Sequence, residues 1–559
     1  DFLIYGEDEQ KAVLKNVIAA LGLDPKQFAP ADWVEKISYY KDTNGGARGD
    51  DFNKIFAAYN AELERLGGLD FGDIILRVIN MFARAPELLE KYRGQFRYIL
   101  VDEYQDTNVV QNQFLRMLAA GNICCVGDDD QSIYSWRGAE IKNILHFNRD
   151  YPDAKIIRLE ENYRSTGNIL GAANSLIRNN GGRLGKDLRT TAGDGEKIRL
   201  ISCPSDQDEA RLIADNIGDD YQNHAILIRS GSLTRLFEEE LSRRSIPYKL
   251  VGAMRFYDRA EVRDVIAYAR LLAHDFDDMS FARIINKPRR GIGDGTLETL
   301  RAVARKNGTS IMEALRTTPL KPKQAAAAAD FLAAFDFDWE ILATADAIEQ
   351  LLDRAGYTKM WAESTEADAP DRRRNIRELV RGVAAKFPTL ADFLENVSLM
   401  TADDGRDDTG PAVSVMTMHA AKGLEFDNVF LPAWEDGIFP NDMSISEDGL
   451  EEERRLAYVA ITRAKKHCMI TFAASRLLFG NWRHDAPSRF IAEIDPKFFR
   501  SNLRPMSEPR KVRPAPIKRA GRVGQTIDDP VHGFGVIIEE GENDLTIAFK
   551  ACIRKIPKT

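Results

Sequence analysis

Tyr98-Ile99-Leu100-Val101-Asp102-Glu103-Tyr104-Gln105-Asp106 is the stretch on which the reading of the whole chain turns. Its first four residues form a short buried-strand pattern, and two adjacent carboxylates follow directly. The C-terminal end of a parallel strand is where α/β folds place nucleotide chemistry. There one carboxylate can hold Mg²⁺, usually through waters, while the next orients or deprotonates an attacking water. Taken alone, the Asp-Glu pair also fits an acidic helix N-terminus favoured by the helix dipole. The company it keeps decides between them.

Working outward, Ile123-Cys124-Cys125-Val126, Ile156-Ile157-Arg158-Leu159, Ile198-Arg199-Leu200-Ile201 and Ala225-Ile226-Leu227-Ile228 are short apolar runs separated by helical patterns. That alternation predicts an α/β fold with parallel sheets. Strand signals fade from about 259 to 410, where alanine-rich helical stretches such as 323–334 and 373–386 dominate, and return at 413–418, 428–431 and 468–472. The simplest reading is a helical domain inserted into a second α/β domain. Residues 1–66 read as amphipathic helices with a break at Asn44-Gly45-Gly46. Segment 500–522 carries eight Lys or Arg, one acid (Glu508) and four prolines, and reads as a flexible basic linker. Beyond it, 533–538 and 545–549, joined by a Gly/Asn/Asp turn, predict a small β module. No internal repeat is visible.

Bulk properties bound the function. At 559 residues, three to four domains are expected. No run of about 18 apolar residues occurs, which predicts no membrane span, and Asp1 to Glu7 have neither a basic start nor a long apolar run, which argues against a signal peptide. None of the five cysteines forms a C-x-x-C pair and the seven histidines do not cluster, so structural zinc and a disulfide framework are not expected and a reducing cytoplasm is. Cysteines in apolar strand-like runs predict buried, inert thiols. A net charge of −9 excludes a uniformly basic coat but not a local basic groove.

Two further motifs follow apolar runs. In Val126-Gly127-Asp128-Asp129-Asp130-Gln131-Ser132-Ile133-Tyr134-Ser135-Trp136-Arg137-Gly138 a polar Gln can report on a phosphate, and aromatics beside a cation suit sequence-blind binding of single strands. A core Trp with an exposed acidic turn fits equally. Leu159-Glu160-Glu161-Asn162-Tyr163-Arg164-Ser165-Thr166 sets an aromatic face beside a guanidinium, one for a base and one for a phosphate.

These three segments resemble motifs II, III and IV of superfamily 1 DNA helicases of the UvrD/PcrA/Rep type. Thr417-Met418-His419-Ala420-Ala421-Lys422-Gly423-Leu424-Glu425-Phe426 resembles motif V, and the run from Glu451 to Ala464, with Thr462-Arg463 near its end, resembles motif VI. The terminal β module looks like the Tudor-like tail of the UvrD and PcrA branch. The resemblance implies two RecA-like parallel-sheet motor domains with inserted helical subdomains. It divides the chain into a partial helical insertion (1–66), the remainder of a first motor domain (67–160), a second motor domain (161–258 and 412–497) interrupted by a helical domain (259–411), a basic linker (498–522) and a Tudor-like module (523–559).

Carried over residue by residue, the resemblance implies that Asp102 belongs to a Mg²⁺ site and Glu103 activates water. It implies that Gln131 senses the γ-phosphate of ATP, Tyr163 stacks on adenine, Glu425 accepts a ribose hydroxyl, and Arg164 and Arg463 are arginine fingers. Phe71, Tyr134, Trp136, Arg137, His419 and Phe479 are similar to single-strand contacts. A strand-end histidine with a backbone partner competes for His419, ordinary core for Phe479, and surface ion pairs for the two arginines. Within Asn286-Lys287-Pro288-Arg289-Arg290-Gly291-Ile292-Gly293-Asp294-Gly295-Thr296, the residues Gly291, Gly293 and Thr296 resemble a duplex-contacting Gly-Ile-Gly element; a plain helix-connecting turn competes.

The implied activity is ATP-dependent 3′→5′ translocation on single-stranded DNA and unwinding at single/double-strand junctions in DNA repair. The β module would serve RNA polymerase or repair proteins. One departure stands out: no G-x-x-x-x-G-K-[ST] occurs in these 559 residues, and Gly185-Lys186-Asp187 lacks both the upstream glycine and the hydroxyl. The resemblance places that loop before residue 1. A polypeptide beginning at Asp1 is therefore expected not to hydrolyse ATP productively, and an ATPase-dead DNA-binding or scaffolding fragment is the competing reading.

Overall fold

The computed structural model describes residues 2–25, 27–43, 49–119, 121–252, 254–366, 368–401, 410–446, 449–502, 526–529, 533–540, 544–549 and 553–557. The Asn44-Gly45-Gly46 break, Cys552 and most of the basic segment lie outside these. The chain forms two compact units, 1–502 and 503–559.

Two short parallel pairs come first: β1 (Leu3–Tyr5) with β2 (Gly68–Asp70), and β3 (Ile99–Val101) with β4 (Ile123–Cys125). The large sheet follows, built from β5 (Ile198–Ser205), β6 (His224–Ile228), β7 (Tyr248–Val251), β8 (Val413–Thr417), β9 (Phe426–Leu431), β10 (Ala464–Leu478), β11 (Asn481–Arg483) and β12 (Phe499–Ser501). Its order is β12-β5-β10-β9-β6-β8-β7, with every neighbour parallel and β11 folded back antiparallel on β10.

A two-sided cover explains why residues 225–228 of β6 are all apolar. Ala225 and Leu227 pack with the helices Gly167–Ile177 and Leu450–Thr462, whereas Ile226 and Ile228 pack with Asp206–Asp215 and Thr234–Arg243. Successive side chains point to opposite faces. Each fully buried Ile or Leu contributes about 1.5–3 kcal/mol.

β7 and β8 pair directly, Tyr248 with Val413, although a long stretch of chain separates them. Between them the described residues run through helices from Ala260 to Thr401 and contain no strand. These helices bury a core of their own around Tyr268, Phe281, Phe331, Leu351 and Phe393. In the second unit, β13 (Thr526–Asp529), β14 (Gly533–Glu540), β15 (Asp544–Phe549) and β16 (Ile553–Pro557) form a four-stranded antiparallel sheet in chain order. The architecture is α/β with a large parallel sheet, as expected. No helix among the described residues is long and apolar enough to cross a membrane.

Four expectations need correction. Ile156–Leu159 is not a strand: Ile156, Ile157 and Leu159 are exposed, and only an isolated bridge, Glu161 to Arg189, follows. A strand requires a ladder partner, and an apolar run does not supply one. β3 forms, but it is not buried: Leu100 is 83% exposed. The expected linker begins too early, because Phe499–Ser501 is an edge strand paired with β5. The cysteine expectation also fails in part: Cys203 and Cys468 are buried and Cys125 partly so, but Cys124 is exposed, because it lies in β4 opposite the uncovered Leu100 of β3.

Candidate active site

Asp102 and Glu103 sit just beyond β3, and Gly127-Asp128 just beyond the neighbouring parallel strand β4, so both motifs emerge at the same edge of one ladder. Glu103 holds a left-handed backbone (φ 50°), rare for a residue with a side chain and costing on the order of 1–3 kcal/mol. Such strain persists only where the surroundings hold it. Here Asp102 Oδ1 accepts from the Glu103 amide at 2.9 Å, and Gln105 Nε2 donates to Glu103 Oε2 at 2.5 Å. Gln105 Oε1 in turn accepts from the Asp128 amide (2.9 Å), which ties the two loops together.

Lys422 meets this edge from the motif that follows β8. Its Nζ donates to Asp106 Oδ2 (2.5 Å) and to the carbonyl of Gln131 (2.8 Å), and lies 3.3 Å from Glu103 Oε2. The other Asp106 oxygen, Oδ1, is buried without a hydrogen-bond partner, and burial raises this carboxyl above its usual range. Gln131 Nε2 donates to Asp128 Oδ2 at 2.7 Å. The Asp128-Asp129-Asp130 cluster has the spacing of a cation site, but its oxygens are already engaged. Arg183 donates two bonds of 2.6 Å to Asp130, Lys186 pairs with Asp128, and the Leu184 amide donates to Asp129 (3.0 Å).

Arg164 and Arg463 are brought together by the start of β10. Ser165 Oγ donates to the Ala464 carbonyl (2.6 Å) and the Thr166 amide to that of Lys465 (3.2 Å). Arg164 Nε donates to Glu425 Oε2 at 2.6 Å, while Lys465 binds Oε1 at 2.8 Å. These two cations hold Glu425 down to about 2, Lys465 first and Arg164 second. Glu425, expected at a ribose, is thus the anchor of Arg164 in this structure.

Arg463 is 1% exposed and donates to the carbonyls of Val459 (3.1 Å) and Leu424 (3.1 Å). Burial, then the neighbouring Arg164, pulls it down to about 10, which leaves it charged at neutral pH. Tyr163 stands 79% exposed beside this group, its ring face open.

A second cluster is aromatic and joins two distant motifs. Tyr134 and Trp136 lie 6.3 and 6.4 Å from the His419 ring, and Tyr134 Oη donates to the His419 carbonyl (3.1 Å). The Arg137 guanidinium covers Trp136 at 4.7 Å, yet Trp136 remains 63% exposed. Glu452 accepts from the amide of Ser135 (3.1 Å) and from its hydroxyl, and so fixes the turn Ser135–Arg137 from the helix Leu450–Thr462 that leads into Arg463.

His419 is held neutral: burial, then Arg229, lowers its pKa from 6.5 to about 4. Between these values the unfolded chain takes up a proton that the folded ring refuses. The contribution of His419 to stability is therefore complete above pH 6.5 and is lost as the pH falls toward about 4. An NMR titration of its ring should show a midpoint near 4, and His419→Gln should flatten the stability slope between pH 4 and 6.5. A midpoint near 6.5 would overturn the assignment.

The remaining expected residues lie elsewhere in the fold. Phe71 is exposed at the first position of the helix Phe71–Arg84. Phe479 is half-buried with φ 50°; its amide donates to Glu378 Oε2 (2.8 Å) and Arg374 covers its ring at 5.7 Å. Gly291, with φ 72°, and Gly293 lie in a turn before the helix Asp294–Asn307, and Gln324 Nε2 donates both to the Gly291 carbonyl (3.0 Å) and to Thr296 (3.1 Å). The space around both glycines is open, and beside Gly291 a cavity of about 930 Å³ is lined by Arg289, Arg290, Lys323 and Arg354.

Sequence reasoning missed Lys422, Lys465, Arg183, Lys186 and Glu452. Three of them lie inside quoted motifs or directly beyond one. Arg183 and Lys186 lie in the stretch dismissed as an incomplete phosphate loop. No sequence signal pointed to their partners.

Comparison with known proteins finds matches in both halves of the chain. Residues 1–152 match the UvrD/REP helicase N-terminal domain, and residues 157–329 and 340–475 match the UvrD-like helicase C-terminal domain. A probable DNA helicase II homolog of Rickettsia felis is 44% identical over 525 residues, covering 88% of this chain and 80% of that protein. DNA helicase II of Escherichia coli is 38% identical over 594 residues, covering 98% and 82%. The ATP-dependent DNA helicase PcrA of Staphylococcus epidermidis is 37% identical over 552 residues, covering 91% and 76%. With both halves matched and extended identity to three such relatives, the chain belongs to the UvrD-like helicase family.

Proposed function

We propose that the protein is the motor of an ATP-dependent DNA helicase that translocates 3′→5′ on single-stranded DNA in cytoplasmic DNA repair. The observation that carries this is the meeting of Lys422 with Glu103, Asp106 and Gln131, which sets the carboxylate edge against the segment leading to Glu425, Arg164 and Arg463.

The donor chemistry fits Mg²⁺ and a triphosphate. Hard carboxylate oxygens, including the partnerless Asp106 Oδ1, stand on one side, and guanidinium and ammonium groups on the other. Asp102 would hold Mg²⁺, which when bound neutralises phosphate charge. Glu103, fixed by Gln105, orients a water; Gln131 reports on the γ-phosphate; Arg164 and Arg463 hold it; Tyr163 offers its open face to adenine. Residues that grip one phosphate from two sides make the nucleotide a clamp, and its loss reopens the cleft.

Tyr134, Trp136, Arg137 and His419 form the single-strand platform, with Phe71 and Phe479 as further contacts. Each base stacked on an aromatic ring is worth about 1–3 kcal/mol, enough to grip yet weak enough to release. Gly291, Gly293 and Thr296 would approach duplex phosphates at a junction, aided by the basic cavity beside them. The C-terminal β module would serve a protein partner such as RNA polymerase or a repair protein.

A second reading is DNA binding without productive hydrolysis. DNA-stimulated ATPase separates the two. Turnover that Glu103→Gln abolishes supports the motor, whereas no turnover with intact DNA binding supports the second. Trp136→Ala should weaken oligo-dT binding by about 1–3 kcal/mol. An unchanged dissociation constant would rule out stacking there.

A further inference from the structure

The helix Pro30–Thr43 ends on two adjacent charged residues that reach different elements of the proposed single-strand surface. Lys41 is fully buried and pairs with both Asp70 (2.7 Å) and Asp73 (2.9 Å). These acids flank Phe71 and lock each other: the Asp73 amide donates to Asp70 Oδ1 (2.9 Å) and the Asp70 amide to Asp73 Oδ2 (3.4 Å). Tyr59 Oη is a second donor to Asp70 Oδ2, at 3.0 Å, and its ring lies 5.2 Å from the lysine ammonium. Gly72 completes the fit, since a Cβ there would stand 2.7 Å from the Lys41 Cβ.

The outcome is an unusual pairing of properties. Phe71 protrudes into solvent, while Asp70 before it and Asp73 two residues after it are buried and ionically fixed. A buried ammonium cannot itself touch a phosphate. Its physical effect is to compensate two buried carboxylates and so set where the helix Phe71–Arg84 begins.

Asp42 works on another element. Its Oδ1 accepts from Asn108 Nδ2 at 3.1 Å, and Asn108 is bridged through its backbone to Ala139, the residue after the turn that holds Tyr134, Trp136 and Arg137. Gly138, which closes that turn with φ 84°, has the Asp42 Cβ within 3.5 Å of its would-be Cβ.

We propose that Lys41 and Asp42 are positioning residues for two separate single-strand contacts: Lys41 sets Phe71 through Asp70 and Asp73, and Asp42 sets the Trp136 turn through Asn108 and Gly138. This rests on the reading of Phe71 and Trp136 as base-stacking residues. One helix outside the paired motor strands thereby fixes the spacing between two stacking faces.

The test is a set of double-mutant cycles on the full chain, read as the dissociation constant for a fluorescent oligo-dT, with folding followed by circular dichroism. Coupled neighbours differ from independent sites by a measurable interaction energy. Lys41→Met should weaken binding roughly 3- to 10-fold. That loss should vanish in a Phe71→Ala background and persist in Trp136→Ala. Asp42→Ala should show the reverse pattern. Charge alone makes the opposite forecast for Asp42, because removing a carboxylate beside DNA tightens binding; tighter binding would overturn its assignment.

Losses that add independently of Phe71 or Trp136 would overturn the positioning while leaving the single-strand reading intact. Unchanged affinity in Phe71→Ala and Trp136→Ala themselves would strike that reading instead. Should Lys41→Met fail to fold, Tyr59→Phe removes one hydroxyl from the same network. A loss of about 2-fold that depends on Phe71 supports the proposal, and no change overturns the Lys41 arm.

Discussion

Arg463→Ala is expected to lower DNA-stimulated ATP turnover about 1,000-fold or more, with oligo-dT affinity changed by less than about 2-fold. An arginine that stabilises charge in phosphoryl transfer is worth about 10³–10⁵ in rate. Arg463 stays charged despite burial and lies beside Arg164 at the start of β10. Its guanidinium also donates to the carbonyls of Val459 and Leu424, so alanine leaves buried acceptors at a cost of about 1–3 kcal/mol. Arg463→Lys therefore accompanies it, retaining charge while losing the planar fork. Turnover and DNA affinity falling together would contradict the proposed role.

Arg476→Ala is expected to destabilise the second motor sheet by about 3–5 kcal/mol, seen as a lower urea midpoint for the main unfolding transition. Arg476 Nη2 lies 2.6 Å from Glu209 and 2.7 Å from Glu435, all three side chains being buried. The same carboxylates accept from the amides of Ala433 (3.1 Å) and Ala473 (2.7 Å) and from Thr471 Oγ1 (2.6 Å). Removing the cation leaves two carboxylates in a site that water does not reach. Replacing all three with apolar residues of matched volume should recover much of the loss. A midpoint unchanged in Arg476→Ala would show that the triad contributes nothing net.

What was legible in the sequence was local. Asp102 and Glu103 could be located because a strand and the carboxylates at its end are neighbours along the chain. β6 could be recognised because its run of apolar residues, 225–228, is what a strand covered on both faces requires. The same rule misled at Ile156–Leu159, where the apolar run is present but pairs with no strand among the described residues. It misled again at β3, whose pattern was taken for burial although Leu100 faces solvent.

The proposed site shows the same limit. Lys422 was inside a quoted motif, yet its partner Asp106 lies 316 positions earlier. Glu425 was noted as an acceptor, but its neutralisation by Arg164 and Lys465 depends on how β9 and β10 align. Phe479 was placed among stacking residues, and only the fold shows its amide held by Glu378 and its ring covered by Arg374.

The sequence by itself determined the alternation of strands and helices, the helical stretch between β7 and β8, and the identity of the acidic and aromatic motifs, because periodicity and adjacency are properties of a few residues in a row. Tertiary structure alone decided which charges neutralise which, where Lys41 and Asp42 make contact, and which apolar runs are covered. Those outcomes depend on distances between residues tens to hundreds of positions apart, and electrostatic and burial energies depend on distance in space rather than along the chain.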